Sequence, residues 1–298
     1  MPESTRLARY GEERETGAGM STGAVSPQHP AVPVRHRLDI DKLSGPQLAS
    51  FRAAMSKAMG ISDDRGYGYQ AGIHGLPLPM SCDIAHGRPI FLPWHRAYLY
   101  SFELRLRDQQ PDVTLSWWDW TTDPKIPQAY SEAVVGGQPN PLFSGTVDPL
   151  AVQQGAQAGD QRAAVTQRAP GAPGAPPLPT AKEVKDVLAL PAFLDFTDQL
   201  EQLHNNVHVW VGGHMSDIPF AAFDPIFWAH HTMIDRVWRM WQLQHPSASF
   251  PQRLLGQALP PFGLTVRDTL DANTLGYDYA VAGASASGTG PQRATGHP

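Results

Sequence analysis

Leu203-His-Asn-Asn-Val-His-Val-Trp-Val-Gly-Gly213 carries two histidines four residues apart. On a helix that spacing puts both rings on one face, a turn apart. A third histidine follows in Phe223-Asp-Pro-Ile-Phe-Trp-Ala-His-His-Thr-Met-Ile-Asp235, where Asp224-Pro225 reads as the start of a helix running to about Gln244. Upstream, Phe91-Leu-Pro-Trp-His-Arg96 closes on His95, and a Gly/Pro-rich stretch before it carries His74 and His86. Six of the twelve histidines therefore form two triads: His74, His86 and His95, then His204, His208 and His231.

Imidazole suits zinc, copper, iron and nickel alike. Dinuclear zinc hydrolases normally add carboxylates that bridge the metals and supply a base. Neither triad contains one, which points to a pair of copper ions; zinc chemistry and metal-free structural histidines are the alternatives. Adjacent helical residues are turned about 100° from each other, so His230 and His231 cannot aim equally at one metal. His230 is read as a packing residue, and His29, His36, His245 and His297 as ordinary surface or core histidines.

Helical patterning surrounds these positions. Ser44–Met59 shows a stripe of Leu48, Phe51, Met55 and Met59, with Ser44 as N-cap and Pro46 in the first turn. Pro93 to Arg107 and Phe193 to Trp210 are also predicted helices. Val113-Thr-Leu-Ser-Trp-Trp-Asp-Trp120 reads as an extended segment filling the core with indoles, and Asp119 among them is expected to be hydrogen-bonded. The implied fold class is mainly α, with long loops and little β structure. A four-helix bundle would hold the dicopper centre in its core.

At these motifs the chain resembles the tyrosinases, members of the type 3 dicopper proteins that also include catechol oxidases and haemocyanins. The resemblance is carried by His86-Gly-Arg-Pro-Ile-Phe-Leu-Pro-Trp-His-Arg-Ala-Tyr-Leu-Tyr-Ser-Phe-Glu103 and by the two downstream stretches quoted above, and it runs from about Arg35 to Tyr279. It implies a bacterial-type tyrosinase with the six histidines as ligands of two copper ions and His231 as the ligand of the His-His pair. The implied reaction uses O2 to hydroxylate monophenols ortho to the hydroxyl and to oxidise o-diphenols to o-quinones. Catechol oxidase, o-aminophenol oxidase and haemocyanin-like O2 binding are the neighbouring alternatives.

The resemblance also assigns roles. Asn205 stands where the family has an asparagine that helps a glutamate hold a water, which takes the phenol proton. Glu201 resembles that glutamate, although the segment between it and His204 is shorter than usual; Asp195 is a substitute. Ile218 falls where plant catechol oxidases often carry a phenylalanine, and Val209 is a pocket wall. Tyr277-Asp-Tyr279 resembles the tyrosine motif that closes the family's domain against an arginine, here Arg35. Cys82 resembles a cysteine that many relatives bond to the second histidine of the first site; a thioether to His86 is one reading, and a buried free thiol is preferred. Asp235 and Glu103 are expected to scaffold the bundle through Arg96 or Arg236. Some related enzymes use a copper-loading helper protein.

Composition bounds the rest. A net charge of -5 without any Lys/Arg cluster argues against nucleic acid. No apolar run reaches the roughly 18 residues of a membrane span. The N-terminus lacks the apolar stretch of a signal peptide, so the expected location is cytoplasmic, or outside the cell if a partner exports the chain. One cysteine rules out an internal disulfide framework. Residues 1–33 read as a flexible leader, 34–280 as one catalytic domain with a Pro/Gly/Ala-rich surface insertion at 144–179, and 281–298 as a flexible tail.

Overall fold

The structure is a computed structural model that describes residues 34–79, 81–122 and 124–279. The expected leader and tail lie outside the described residues. Helix α1 (Gly45–Met59) starts at Ser44, whose side chain accepts from the Gln47 N–H while Gln47 reaches back to the Ser44 backbone. Its buried face is Phe51, Ala54, Met55 and Ala58. Helix α2 (Tyr67–His74) and helix α3 (Phe91–Gln109) follow, then the single turn α4 (Gln128–Ser131) and helix α5 (Pro149–Gln157). Helix α6 (Ala181–Leu188) precedes two further histidine-bearing helices as long as α3, α7 (Phe193–Val211) and α8 (Ile226–Gln244). The Asp224 carboxylate accepts from the Ile226 N–H at 3.1 Å and so caps α8 beside Pro225.

Helix α8 packs against α3, α6 and α7, and α3 packs against α1 and α7. Trp94, Tyr98, Phe102, Phe227 and Trp228 fill the space between them, with Phe102 and Trp228 stacked at 3.8 Å. Among the described residues no helix is long and apolar enough to cross a membrane. The indole segment lies where expected: Trp117 and Trp118 are buried, Trp117 pairs through its backbone with Ile40 and Leu38, and Asp119 accepts from the Thr121 N–H at 3.1 Å.

Strand Arg35–Arg37 pairs in parallel with strand Tyr277–Tyr279. The arginine that meets the tyrosines is Arg37, not Arg35. Its guanidinium lies 3.5 Å over the Tyr277 ring and donates to the Tyr279 hydroxyl at 3.2 Å. Arg35 instead donates to the Pro111 carbonyl. Arg37 also bonds Glu103 at 2.8 Å and Asp235 at 3.2 Å, and Asp235 bonds Arg96 at 2.5 Å. Arg236 takes no part in that network and stacks on Trp117 at 4.0 Å.

The segment 144–179 differs from a plain surface loop. It forms α5, buries Val147, Ala151 and Leu178, and sends Arg168 to Asp224 at the start of α8. Backbone and polar bonds hold it, which its Ala/Gly/Pro composition does not advertise.

Candidate metal centre

Four helices bring the predicted ligands together. His74 is the last residue of α2, and Gly75 after it lets the chain pass the Pro219 carbonyl, where a Cβ would stand 2.1 Å away. Tyr98 on α3 donates to the Gln70 carbonyl at 2.6 Å and ties the two helices. His95 is buried on α3, His204 and His208 share one face of α7, and His231 is buried on α8. His86 lies on the loop between α2 and α3 and is partly exposed.

The second triad converges on His231. Its Nε2 is 3.2 Å from His204 Nε2 and 3.1 Å from His208 Nε2. In the first triad His74 Nε2 and His86 Nε2 are 3.4 Å apart. His95 joins them with ring centroids 5.1 Å from His86 and 5.7 Å from His74, and its ring stacks on His231 at 4.6 Å. His230 donor atoms fall in the same cluster as those of His204, His208 and His231, but its ring lies flat on His204 at 5.1 Å and 16°.

The outward nitrogens explain why the inward ones are bare. Nδ1 faces a carbonyl in His74 (Ile218, 3.2 Å), His95 (Phe91, 2.9 Å) and His208 (Met215, 2.6 Å), and the Asn205 Oδ1 in His204 (3.0 Å). A carbonyl can only accept, so each of these rings carries its proton on Nδ1 and turns a lone pair inward. The bare nitrogens of His74, His204 and His208 each stand 3.1–3.4 Å from the Nε2 of His86 or His231, so donor atoms of each triad crowd one point. The buried Nε2 of His95 has no protein partner. This donor set fits two metal ions held by neutral imidazole.

Burial, reinforced by the neighbouring rings, holds His74, His95, His204 and His231 well below the ordinary histidine value, and burial brings His208 down to about 4. Between the unfolded value of about 6.5 and these depressed values only the unfolded chain is protonated. Falling pH therefore favours unfolding of the metal-free chain. Its melting midpoint is expected to drop steadily from pH 6.5 towards 4. A flat midpoint across that window would contradict neutral buried rings.

Of the other predicted residues, Asn205, Val209 and Ile218 line one cavity of about 260 Å³, together with Met215 and rings of both triads. Val209 and Ile218 are 44% and 46% exposed, at its mouth. Glu201 is not in the lining. Its Oε1 accepts from the Gly87 N–H at 2.7 Å and stands 3.5 Å from His86 Nδ1, behind the ring. Asp195 borders a different surface hollow with Asp186, Asp198 and Gln199. Cys82 donates its thiol to the His74 carbonyl at 2.7 Å, and burial pushes its pKa up to about 12. Sequence reasoning missed the Met215 and Ile218 carbonyls and His214 beside them. Main-chain acceptors leave no mark in residue type, although Gly212-Gly213 signals a tight turn.

The family described as the common central domain of tyrosinase matches residues 64–244. A tyrosinase of Streptomyces antibioticus is 36% identical over 183 residues, which cover 55% of this chain and 67% of that protein. Unit D of the Helix pomatia haemocyanin beta-C chain is 32% identical over 251 residues, 76% of this chain but only 57% of that protein. A functional unit of octopus haemocyanin superposes with a TM-score of 0.68 at 26% identity, covering 83% of this chain and 68% of that one. A mushroom tyrosinase superposes at 0.70 with 22% identity over 84% and 90% of the two chains, a likeness of fold.

Proposed function

The chain belongs to the tyrosinase family of type 3 dicopper proteins, and from that footing we propose that it uses O2 to hydroxylate small monophenols and to oxidise o-diphenols to o-quinones. What supports an enzyme over a carrier is the cavity: it opens to solvent and is bounded by His74 and His86 of one triad and His204 and His208 of the other. The six histidines are its metal ligands in this reading. A bound copper pair would supply the O2 binding and the redox chemistry, in which two catechols give up two electrons each to reduce one O2 to two waters, or one monophenol gives up four while taking one oxygen atom and leaving the other as water.

The chain's own residues handle position and proton. A phenol keeps its proton up to about pH 10 in water, so a base must assist its binding. Asn205 borders the cavity, and Glu201 stands one turn earlier on α7. Together they are assigned the water that takes this proton. Glu201 also steadies His86 from behind, at 3.5 Å. Val209 and Ile218 flank the ring of the bound phenol and leave the mouth wide.

The test is copper analysis followed by turnover of a small phenol and its catechol under air. Quinone from both supports the reading; quinone from catechol alone selects a catechol oxidase, and from o-aminophenol alone an aminophenol oxidase. Oxygen uptake without turnover selects a carrier, the function class of the haemocyanin relatives. Asn205→Ala is expected to lower kcat/KM for the monophenol by about 10–100-fold, and for the catechol by much less. Equal losses on both would leave Asn205 only the task of orienting His204.

A further inference from the structure

Two of the six rings take their aim from one loop. Met215 and Ile218 lend their carbonyls to His208 and His74, one ring from each triad. The loop Gly212–Ile218 contains a single 3-10 turn at Gly213–Ser216. What secures it lies some 50 residues upstream in sequence, in the crossing at 160–171.

His214 is buried and bonded to that crossing at both ring nitrogens. Its Nδ1 accepts from the Gln167 N–H at 3.0 Å, and its Nε2 faces the Ala163 carbonyl at 3.1 Å. The two contacts demand one tautomer, with the proton on Nε2. Its backbone N–H donates to the Gln167 carbonyl at 3.0 Å. Gly213, at φ +59°, lets the chains touch here, because a Cβ would lie 1.9 Å from the Gln167 oxygen. Arg162 reaches from the crossing to both ends of the turn: Nε lies 3.1 Å from the Asp217 carboxylate and 2.9 Å from Asp160, and Nη1 lies 3.4 Å from the Gly213 carbonyl.

We propose that His214 and Arg162 are positioning residues for both metal sites, acting through the loop whose Met215 and Ile218 carbonyls orient His208 and His74. This rests on the reading of those two histidines as copper ligands. Neither residue is a ligand itself: His214 has both nitrogens engaged by backbone, and Arg162 has no lone pair to offer. Loss of either lets the two carbonyls wander, and a ring without its acceptor can swing its lone pair off the metal.

The experiment is competition for copper between the full chain and a chelator, with the melting midpoint of the metal-free chain measured alongside. His214→Phe and Arg162→Ala are expected to weaken both coppers by about 10–100-fold. His214→Gln, whose amide can accept and donate, restores part of that loss. Arg239→Ala, which breaks an ion pair with Asp278 in the middle of the fold-closing strand, serves as the control and leaves copper affinity unchanged. If His214→Phe fails to fold, Arg162→Ala decides. Wild-type affinity in Arg162→Ala, loss at only one copper, or equal loss in Arg239→Ala overturns the proposal. A wild-type chain that binds fewer than two coppers removes the metal reading itself, and is seen before any variant is compared.

Discussion

His231→Ala is expected to leave a folded chain that holds at most one copper and oxidises no phenol. His231 Nε2 is the point on which His204 and His208 converge, at 3.2 and 3.1 Å. Removing it leaves two donors, too few for a stable site. Its ring also stacks on His95 at 4.6 Å and on Phe227 at 4.0 Å, so the first triad loses a wall. The fall in turnover should exceed the roughly 100-fold that changes behind a ligand cost. The void costs about 2–5 kcal/mol of stability, within what a domain of this size can lose and still fold. His230→Ala removes the neighbouring ring and is the matched control, expected to keep two coppers. Two coppers in His231→Ala, or their loss in His230→Ala instead, would reverse the assignment within the pair.

Asp235→Ala is the change expected to damage stability most. The carboxylate is 3% exposed and serves four groups: Arg96 at 2.5 Å, Arg37 at 3.2 Å, Tyr277 at 2.7 Å and Tyr279 at 2.5 Å. Both guanidiniums are fully buried. Without Asp235, Arg96 loses its ion pair and Arg37 keeps only Glu103. Breaking a buried pair from one side costs about 3–5 kcal/mol, a large part of a typical 5–15 kcal/mol total (order of magnitude). The melting midpoint should fall by about 10 °C or more. Burial works to raise the Asp235 carboxyl, but Arg96 and Arg37 outweigh it and hold it below its ordinary value. The network is therefore complete at neutral pH and fails only as pH drops through the depressed carboxylate range. A variant melting within about 2 °C of wild type, under 1 kcal/mol by the same scaling, would show that the network carries little of the fold.

What could be read from the sequence was local. Ser44 with Gln47, Asp224 beside Pro225 and the four-residue step from His204 to His208 each act within one or two turns, so residue type and spacing suffice. What could not be read was the partner chosen across the fold. Arg35 and Arg37 share a strand face and differ only in depth; Arg37 is the one opposite Tyr279. Glu201 matches a motif position, yet its neighbour is decided by where the His86 loop returns, 114 residues away. The crossing at 144–179 has little apolar periodicity because polar side chains and backbone tie it down, Arg168 to Asp224 and Gln167 to His214.

Pairing of Arg35–Arg37 with Tyr277–Tyr279 has a consequence for biosynthesis. A nascent chain carries Arg37, Glu103, Arg96 and Asp235 long before it carries the two phenols that complete their cage. Until residue 279 leaves the ribosome, the inner charges must stay wet and the bundle cannot close around them. Closure of so long a loop is a late event, so metal acquisition belongs after Tyr277–Tyr279 have joined the fold rather than before.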